Sequence, residues 1–257
     1  MKVLAIGDII GKPGRDAVKI ILPELKQTYS PELIVANGEN TAGGIGITPA
    51  TADELFNMGV DVITSGNHVW AQREIHEYLN GPKPVIRPLN YPPGTPGRGF
   101  ITQDGTAVVN IIGRTYMNAY DCPFRGVDKV LAEMAEDVKV IIVDFHAEAT
   151  SEKMAMGRYL DGRVSAVLGT HTHVATADAQ IFSGGTAYVT DIGMVGPKDS
   201  VIGDDNKAVI DRFLTQIPRR LAVASDRRII FNAVVVEVDE ASGKARGIER
   251  IYREVNI

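Results

Sequence analysis

Apolar runs alternate with amphipathic stretches along most of this chain. Val3–Ile6 is a short continuous apolar run, which predicts a buried strand. A Gly-rich turn follows, then Pro13–Tyr29, where Val18, Ile21, Leu22 and Leu25 recur at helical spacing. Leu33–Ala36 predicts a second strand. Thr48-Pro49 marks a helix start, since Thr caps and Pro suits the first helical position. Gly59 ends that helix after Met58. Val60–Thr64 predicts a third strand and Gln72–Leu79 a further helix. This β-α-β-α-β order implies a parallel sheet.

Val85–Pro96 is proline-rich and reads as an irregular loop. Beyond it the pattern predicts strands at Gly99–Thr102, Ala107–Ile112, Val138–Phe145 and Val164–Gly169. Helices are predicted at Phe124–Glu136 and, with a cap at its start, at Ser151–Leu160. In the tail, Ala179–Phe182, Thr186–Thr190, Ile229–Val238 and Ala245–Tyr252 predict antiparallel strands joined by turns. Ser242-Gly243 marks a hairpin. The expected fold class is α/β, a sandwich to which both chain ends contribute, forming one domain over residues 1–257.

Composition narrows the partners. The 257 residues carry a net charge of −5, with 44% apolar and 23% charged residues. That argues against a long nucleic-acid groove or an anionic membrane surface, both of which use dense positive charge. Cys122 is the single cysteine, so no internal disulfide forms, as in a reducing compartment. The first residues lack the apolar core of a signal peptide, and a cytoplasmic location is expected. The antiparallel edges and long loops leave room for a homo-oligomer.

The chemistry lies in the positions of polar residues. Asp8 follows the first predicted strand, Glu39-Asn40 the second and Asn67-His68 the third. His146 ends the Val138–Phe145 run, and His171 and His173 follow Val164–Gly169. In open α/β sheets ligands bind beyond the carboxyl ends of strands. Alone, Asp8 reads equally as a turn residue, Asn67 as a helix cap and His146 as a core histidine. In an extended chain, alternation puts His171 and His173 on one side as a chelate. Together, two carboxylates, two amides and three of the five histidines form a ligand inventory for two metal ions. Mixed nitrogen and oxygen donors without thiolate favour iron, manganese or zinc. His76 is expected on a solvated helix face.

The motifs Gly7-Asp8, Gly38-Glu39-Asn40, Gly66-Asn67-His68, His146 and Gly169-Thr170-His171-Thr172-His173 resemble those of the calcineurin-type metallophosphoesterases. Asp8-Ile9-Ile10-Gly11, Glu39–Gly44, Asp144–Lys153 and Gly169–His173 resemble the YmdB-like branch. The resemblance implies a metallophosphoesterase sandwich of mixed sheets flanked by helices. It implies two divalent or mixed-valence ions, iron first, with manganese or zinc as alternatives. One ion takes Asp8, Glu39, Asn40 and His173. The other takes Glu39, Asn67, His146 and His171, and Glu39 bridges the pair. The majority motif Asp-x-His is here Asp8-Ile9-Ile10, so Asn40 replaces a ligand. Val69 stands where an acidic residue often pairs with the histidine before it, and Glu148 or a carbonyl is expected to orient His68 instead.

The function this implies is hydrolysis of cyclic nucleotides, of the 2′,3′-cyclic and also the 3′,5′-cyclic type. The expected mechanism is attack by a metal-bridging hydroxide, with His68 as general acid. The alternatives are a phosphomonoesterase or nucleotidase, a nuclease, and a regulatory metal-binding protein with slow turnover. The loops Ile86–Gly97 and Tyr116–Arg125 are expected to roof the site, with Arg87, Arg114 and Arg125 as candidates to hold phosphate. Asp191–Asn206 is expected to form a wall or an oligomer contact.

Overall fold

A computed structural model describes residues 1–257. Two sheets stack face to face, each with helices on its outer side. In the first sheet, β1 (Lys2–Ile6) pairs parallel with β3 (Leu33–Asn37), which pairs parallel with β4 (Val62–Thr64). The long β12 (Arg228–Val238) adds antiparallel to the other side of β1 and forms a hairpin with β13 (Ala245–Asn256). Both chain ends therefore share one sheet. The first half of β12 also pairs with β11 (Met194–Pro197), which in turn pairs parallel with β2 (Asp8–Ile9). The second sheet runs β5 (Phe100–Gln103), β6 (Thr106–Ile112), β7 (Val140–His146), β8 (Ala166–Thr170), β10 (Ala187–Val189) and β9 (Gln180–Ile181).

Side-chain alternation assigns the layers. Val3 and Ala5 of β1 face the second sheet and pack with Ile142 and Leu168. Leu4 and Ile6 face the other way and bury Val18, Leu22 and Leu25 of α1 (Gly11–Tyr29) and Leu55 of α2 (Pro49–Met58). On the outer face of the second sheet, Val109, Val143 and Phe145 cover Val127 and Val130 of α4 (Pro123–Glu133) and Met156 of α5 (Thr150–Tyr159). Every residue of β7 is buried, as its unbroken apolar run requires of a strand covered on both faces. No helix is long and apolar enough to cross a membrane.

Most predicted elements are present. Thr48 and Thr51 form a reciprocal capping box, and Gly59 closes α2 at φ 94°. Several expectations change. The helix at Gln72–Leu79 shrinks to one turn, α3 (Ile75–Tyr78), because the residues before it run in turns that carry His68 to the site. Ser151 caps nothing: α5 begins at Thr150 and its N-cap position is Ala149. In the tail, β9–β10 and β12–β13 are antiparallel, but β10 lies parallel to β8. Within Asp191–Asn206 the chain forms β11, and the helix α6 (Asn206–Thr215) follows at once. Asp205 caps α6 by accepting from Ala208 N–H.

Candidate metal centre

The chain leaves β1 at Ile6 and resumes as β2 beside β11, which sets Asp8 wholly inside the protein. The turn after β3 carries Glu39 and Asn40, also buried. The turn after β4 carries Gly66, Asn67 and His68. Gly66 allows no side chain, because a Cβ there would strike the His146 ring and the Glu39 carboxylate. His146 ends β7, and His171 and His173 follow β8.

These residues meet at two foci. At the first, His146 Nε2 lies 3.0 Å from Glu39 Oε1, 3.1 Å from Asn67 Oδ1 and 3.0 Å from His171 Nδ1. One ring nitrogen carries at most one proton, so three such neighbours exceed what hydrogen bonding can satisfy. Candidate ligand atoms of Glu39, His146 and His171 all lie within 4.8 Å of one another. At the second focus, His173 Nε2 lies 3.3 Å from the Asn40 amide and 3.6 Å from Asp8 Oδ1. The latter is too long for a hydrogen bond, and the buried Asp8 Oδ1 has no hydrogen-bond partner. Asn40 Nδ2 also lies 3.4 Å from Glu39 Oε1, so Glu39 touches both foci.

The outer nitrogen of each histidine has a partner. Thr170 Oγ1 donates to Asp144 Oδ1 at 2.7 Å, so it accepts from His146 Nδ1–H at 2.9 Å. Asp144 also takes the Thr64 hydroxyl and the Asn37 amide. His171 Nε2 meets Glu148 Oε2 at 3.1 Å, and His173 Nδ1 donates to the Ile202 carbonyl at 2.7 Å. With the outer nitrogens so engaged, the inner ones face the foci and can offer lone pairs to a cation once they give up their protons, as hydrogen bonds to the far nitrogen arrange around metal-binding histidines. Glu148 therefore orients His171, not His68 as expected. His68 is held through its backbone, whose N–H donates to Glu39 Oε2 at 3.0 Å.

The electrostatics call for positive charge at both foci. Burial pushes Glu39 up, but His146 outweighs it and holds the carboxyl below its usual range. Burial likewise opposes ionisation of Asp8, and His173 and His146 reverse that to a net lowering. Burial alone depresses His173, yet the Asp8 carboxylate raises it to about 9. Burial and the neighbouring His146 depress His171 to about 3. Two buried carboxylates among nitrogen and amide donors are thus suited to hold divalent cations.

The His171–His173 segment is not extended. Both histidines have left-handed φ, 99° and 65°, so the turn, not strand alternation, sends one ring to each focus. Asp191 holds this turn: its Oδ2 accepts from Thr172 N–H at 3.1 Å and Thr172 Oγ1 at 2.8 Å. The buried Lys153 ammonium meets the same oxygen at 2.6 Å. Lys153 and Asp191 lie in segments already singled out, but their pairing across 38 residues was not foreseen, although a lysine on the buried face of α5 was a usable signal.

The loops Ile86–Gly97 and Tyr116–Arg125, expected to roof the site, pack against each other, and neither lines the cavity over the second focus. Tyr91 packs edge-on against Tyr120 and Trp70, with ring centroids 5.0 and 5.5 Å apart. Its hydroxyl reaches the Gly66 carbonyl. Arg87 is a loop brace, donating to the carbonyls of Pro88, Leu89 and Pro96. Arg114 and Arg125 are exposed and line no part of the cavity over the second focus. That cavity, about 550 Å³, is lined by Asn40, His68 and His173 together with Arg212, Arg219 and Arg220, three arginines the sequence reading passed over. His76 is not on a solvated face. Its ring packs edge-on against Trp70, and its Nε2 is buried. Cys122 is a free thiol beside α4 and far in role from the site.

Two stacked sheets with histidines and carboxylates gathered at their strand ends make up the fold of the calcineurin-like phosphoesterases. A solved calcineurin-like phosphoesterase, YfkN of Bacillus subtilis, superposes with TM-score 0.58 at 10% identity, covering 98% of this chain and 90% of that one, and shows the shared fold. A sequence model of the YmdB-like protein family matches residues 4–251, and the chain belongs to that family. It is 47% identical to the 2′,3′-cyclic-nucleotide 2′-phosphodiesterase of Bacillus subtilis (strain 168), over 98% of this chain and 96% of that one. The crystal structure of a novel phosphatase from Mycoplasma pneumoniae superposes with TM-score 0.92 at 33% identity, covering 100% and 94%. The chain is an enzyme, a phosphoric ester hydrolase.

Proposed function

We propose that this protein is a dinuclear-metal phosphodiesterase acting on nucleoside 2′,3′-cyclic phosphates, with 3′,5′-cyclic nucleotides as a secondary class. The observation that carries the reading is the pairing of two foci through Glu39, with each histidine's outer nitrogen engaged and its inner nitrogen facing a focus. The activity in the name of the Bacillus subtilis relative supports the substrate class. In this assignment Asp8, Glu39, Asn40 and His173 hold one ion, and Glu39, Asn67, His146 and His171 hold the other. Iron is the first choice and manganese or zinc the alternatives, as the donor set favours. When bound, such a pair supplies a hydroxide nucleophile near neutrality and neutralises charge building on the phosphate.

The chain's own residues do the rest. His68 lines the cavity beside Asn40 and His173, and its backbone is pinned to Glu39, which supports assigning its ring the role of proton donor to the leaving oxygen. In that role it donates the proton that the alkoxide needs. Asp144, through Thr170, holds His146 in one tautomer. The pairing of β1 with β12 supports a single working domain.

The test compares adenosine 2′,3′-cyclic phosphate with a simple phosphomonoester, using wild type and His68→Ala. Wild type is expected to prefer the cyclic diester. The variant is expected to keep its metal content and lose roughly 10²–10⁴-fold in turnover. Unchanged turnover removes His68 from the mechanism. Preference for the monoester makes the protein a phosphatase.

A further inference from the structure

The cavity over the metal centre is larger and more cationic than a single cyclic phosphate requires. One wall is the floor already described, with Asn40, His68 and His173. The same cavity is also lined by Arg212 near the end of α6 and by Arg219 and Arg220 in the segment after it, which form an arginine wall. All three arginines are exposed. Arg212 and Arg220 make no ion pair and no side-chain hydrogen bond, and Arg219 has only Asp211, at 3.4 Å. The one carboxylate lining the cavity is Asp204. Three guanidinium groups thus face one carboxyl, in a chain whose net charge is −5.

The wall is fixed in place. Asp204 bridges both Val201 and Val223, Asp205 N–H donates to the Ala222 carbonyl, and Ala224 N–H donates to the Gly203 carbonyl. These bonds clamp both ends of the α6 segment together and hold the arginine-bearing turn over the Gly43–Ile45 loop. Guanidinium forks match phosphate oxygens in geometry and charge. A cavity of about 550 Å³ suits a nucleotide-sized ligand rather than a long polymer.

We propose that this arginine wall binds a second phosphate, carried on the 5′ oxygen of the same nucleotide whose cyclic phosphate lies at the metal centre. The inference rests on the phosphodiesterase reading and deepens it: the preferred substrate bears two phosphates. A 5′-phosphorylated mononucleotide and the 3′ end of a short RNA fragment share this chemistry.

Binding to the manganese-loaded protein is measured by calorimetry with adenosine 3′,5′-bisphosphate and adenosine 3′-monophosphate. The bisphosphate is expected to bind roughly tenfold or more tightly, as charge-assisted contacts to one phosphate allow. In Arg219→Ala/Arg220→Ala the preference is expected to fall to about twofold or less, the residue left by Arg212. In Arg125→Ala, an exposed arginine on α4, it is expected to persist. Equal affinity in wild type overturns the proposal, as does a preference that survives in the double variant. Turnover then separates the sources. A gain with the 5′-phosphorylated cyclic mononucleotide alone points to mononucleotides. An equal gain with a dinucleotide ending in a 2′,3′-cyclic phosphate points to RNA ends. If no cyclic substrate is hydrolysed, the phosphodiesterase reading falls, while the binding comparison still decides the second phosphate.

Discussion

At the floor of the centre, Asp8, Glu39 and His146 are inaccessible to solvent, and each histidine has a named partner on its outer nitrogen. At the rim, Arg212, Arg219 and Arg220 stand exposed with almost no partners. The floor spends burial and strain on fixing geometry. The rim leaves its charges free for a ligand. Substitutions at the floor should therefore move metal affinity and stability together, and substitutions at the rim should move only substrate selection.

The sharpest way to break this contrast is Gly66→Ala. The added methyl lands on the His146 ring and the Glu39 carboxylate, which must move apart. Turnover is expected to drop by more than about 10²-fold, as a displacement near 1 Å can cause. Steady-state kinetics beside metal analysis checks this, and near-normal values of both would show that the floor is not rigid. Next is Lys153→Met, which strands the buried Asp191 carboxylate without its ammonium. Breaking such a pair costs about 3–5 kcal/mol, to be read from denaturant unfolding. A cost below about 1 kcal/mol would mean that Asp191 finds other compensation. Thr170→Val removes the acceptor for His146 Nδ1–H. Metal affinity is expected to weaken roughly 10–100-fold in a chelator competition, with the fold retained. At the rim, Arg220→Ala is expected to change stability by no more than about 0.5 kcal/mol and to leave metal content intact. A loss of metal there would erase the distinction between floor and rim.

The floor was largely legible in the sequence because its chemistry sits at strand ends, and the strands announce themselves as apolar runs. Val138–Phe145 located His146, and Val3–Ile6 located Asp8. What the pattern could not supply was the shape of the turns. His171 and His173 diverge because of left-handed backbone held by Asp191, a contact made 19 residues from Thr172. The same limit hid the partner of Glu148, which depends on packing of α5 beside β8. The short strands beside the floor, and the rim itself, were less legible still. β2 and β11 are too short to show a period, and β11 contains Gly196 and Pro197. α6 leaves Ile210, Phe213 and Leu214 exposed, so its burial pattern does not mark a core-facing stripe. Arg87 was a reasonable phosphate candidate by residue type, but its guanidinium is consumed by loop carbonyls. Arginine identity alone does not distinguish a brace from a binder; the count of satisfied donors does.

The proposed dinuclear centre requires Glu39 to serve two metal ions at once. Elemental analysis of purified wild type and Glu39→Gln tests this most directly. Wild type is expected to hold about two metal equivalents per chain and the variant to lose both together, since one carboxylate bridges both positions of a two-metal site. Retention of two full equivalents in Glu39→Gln would contradict the bridge and the two-focus reading built on it.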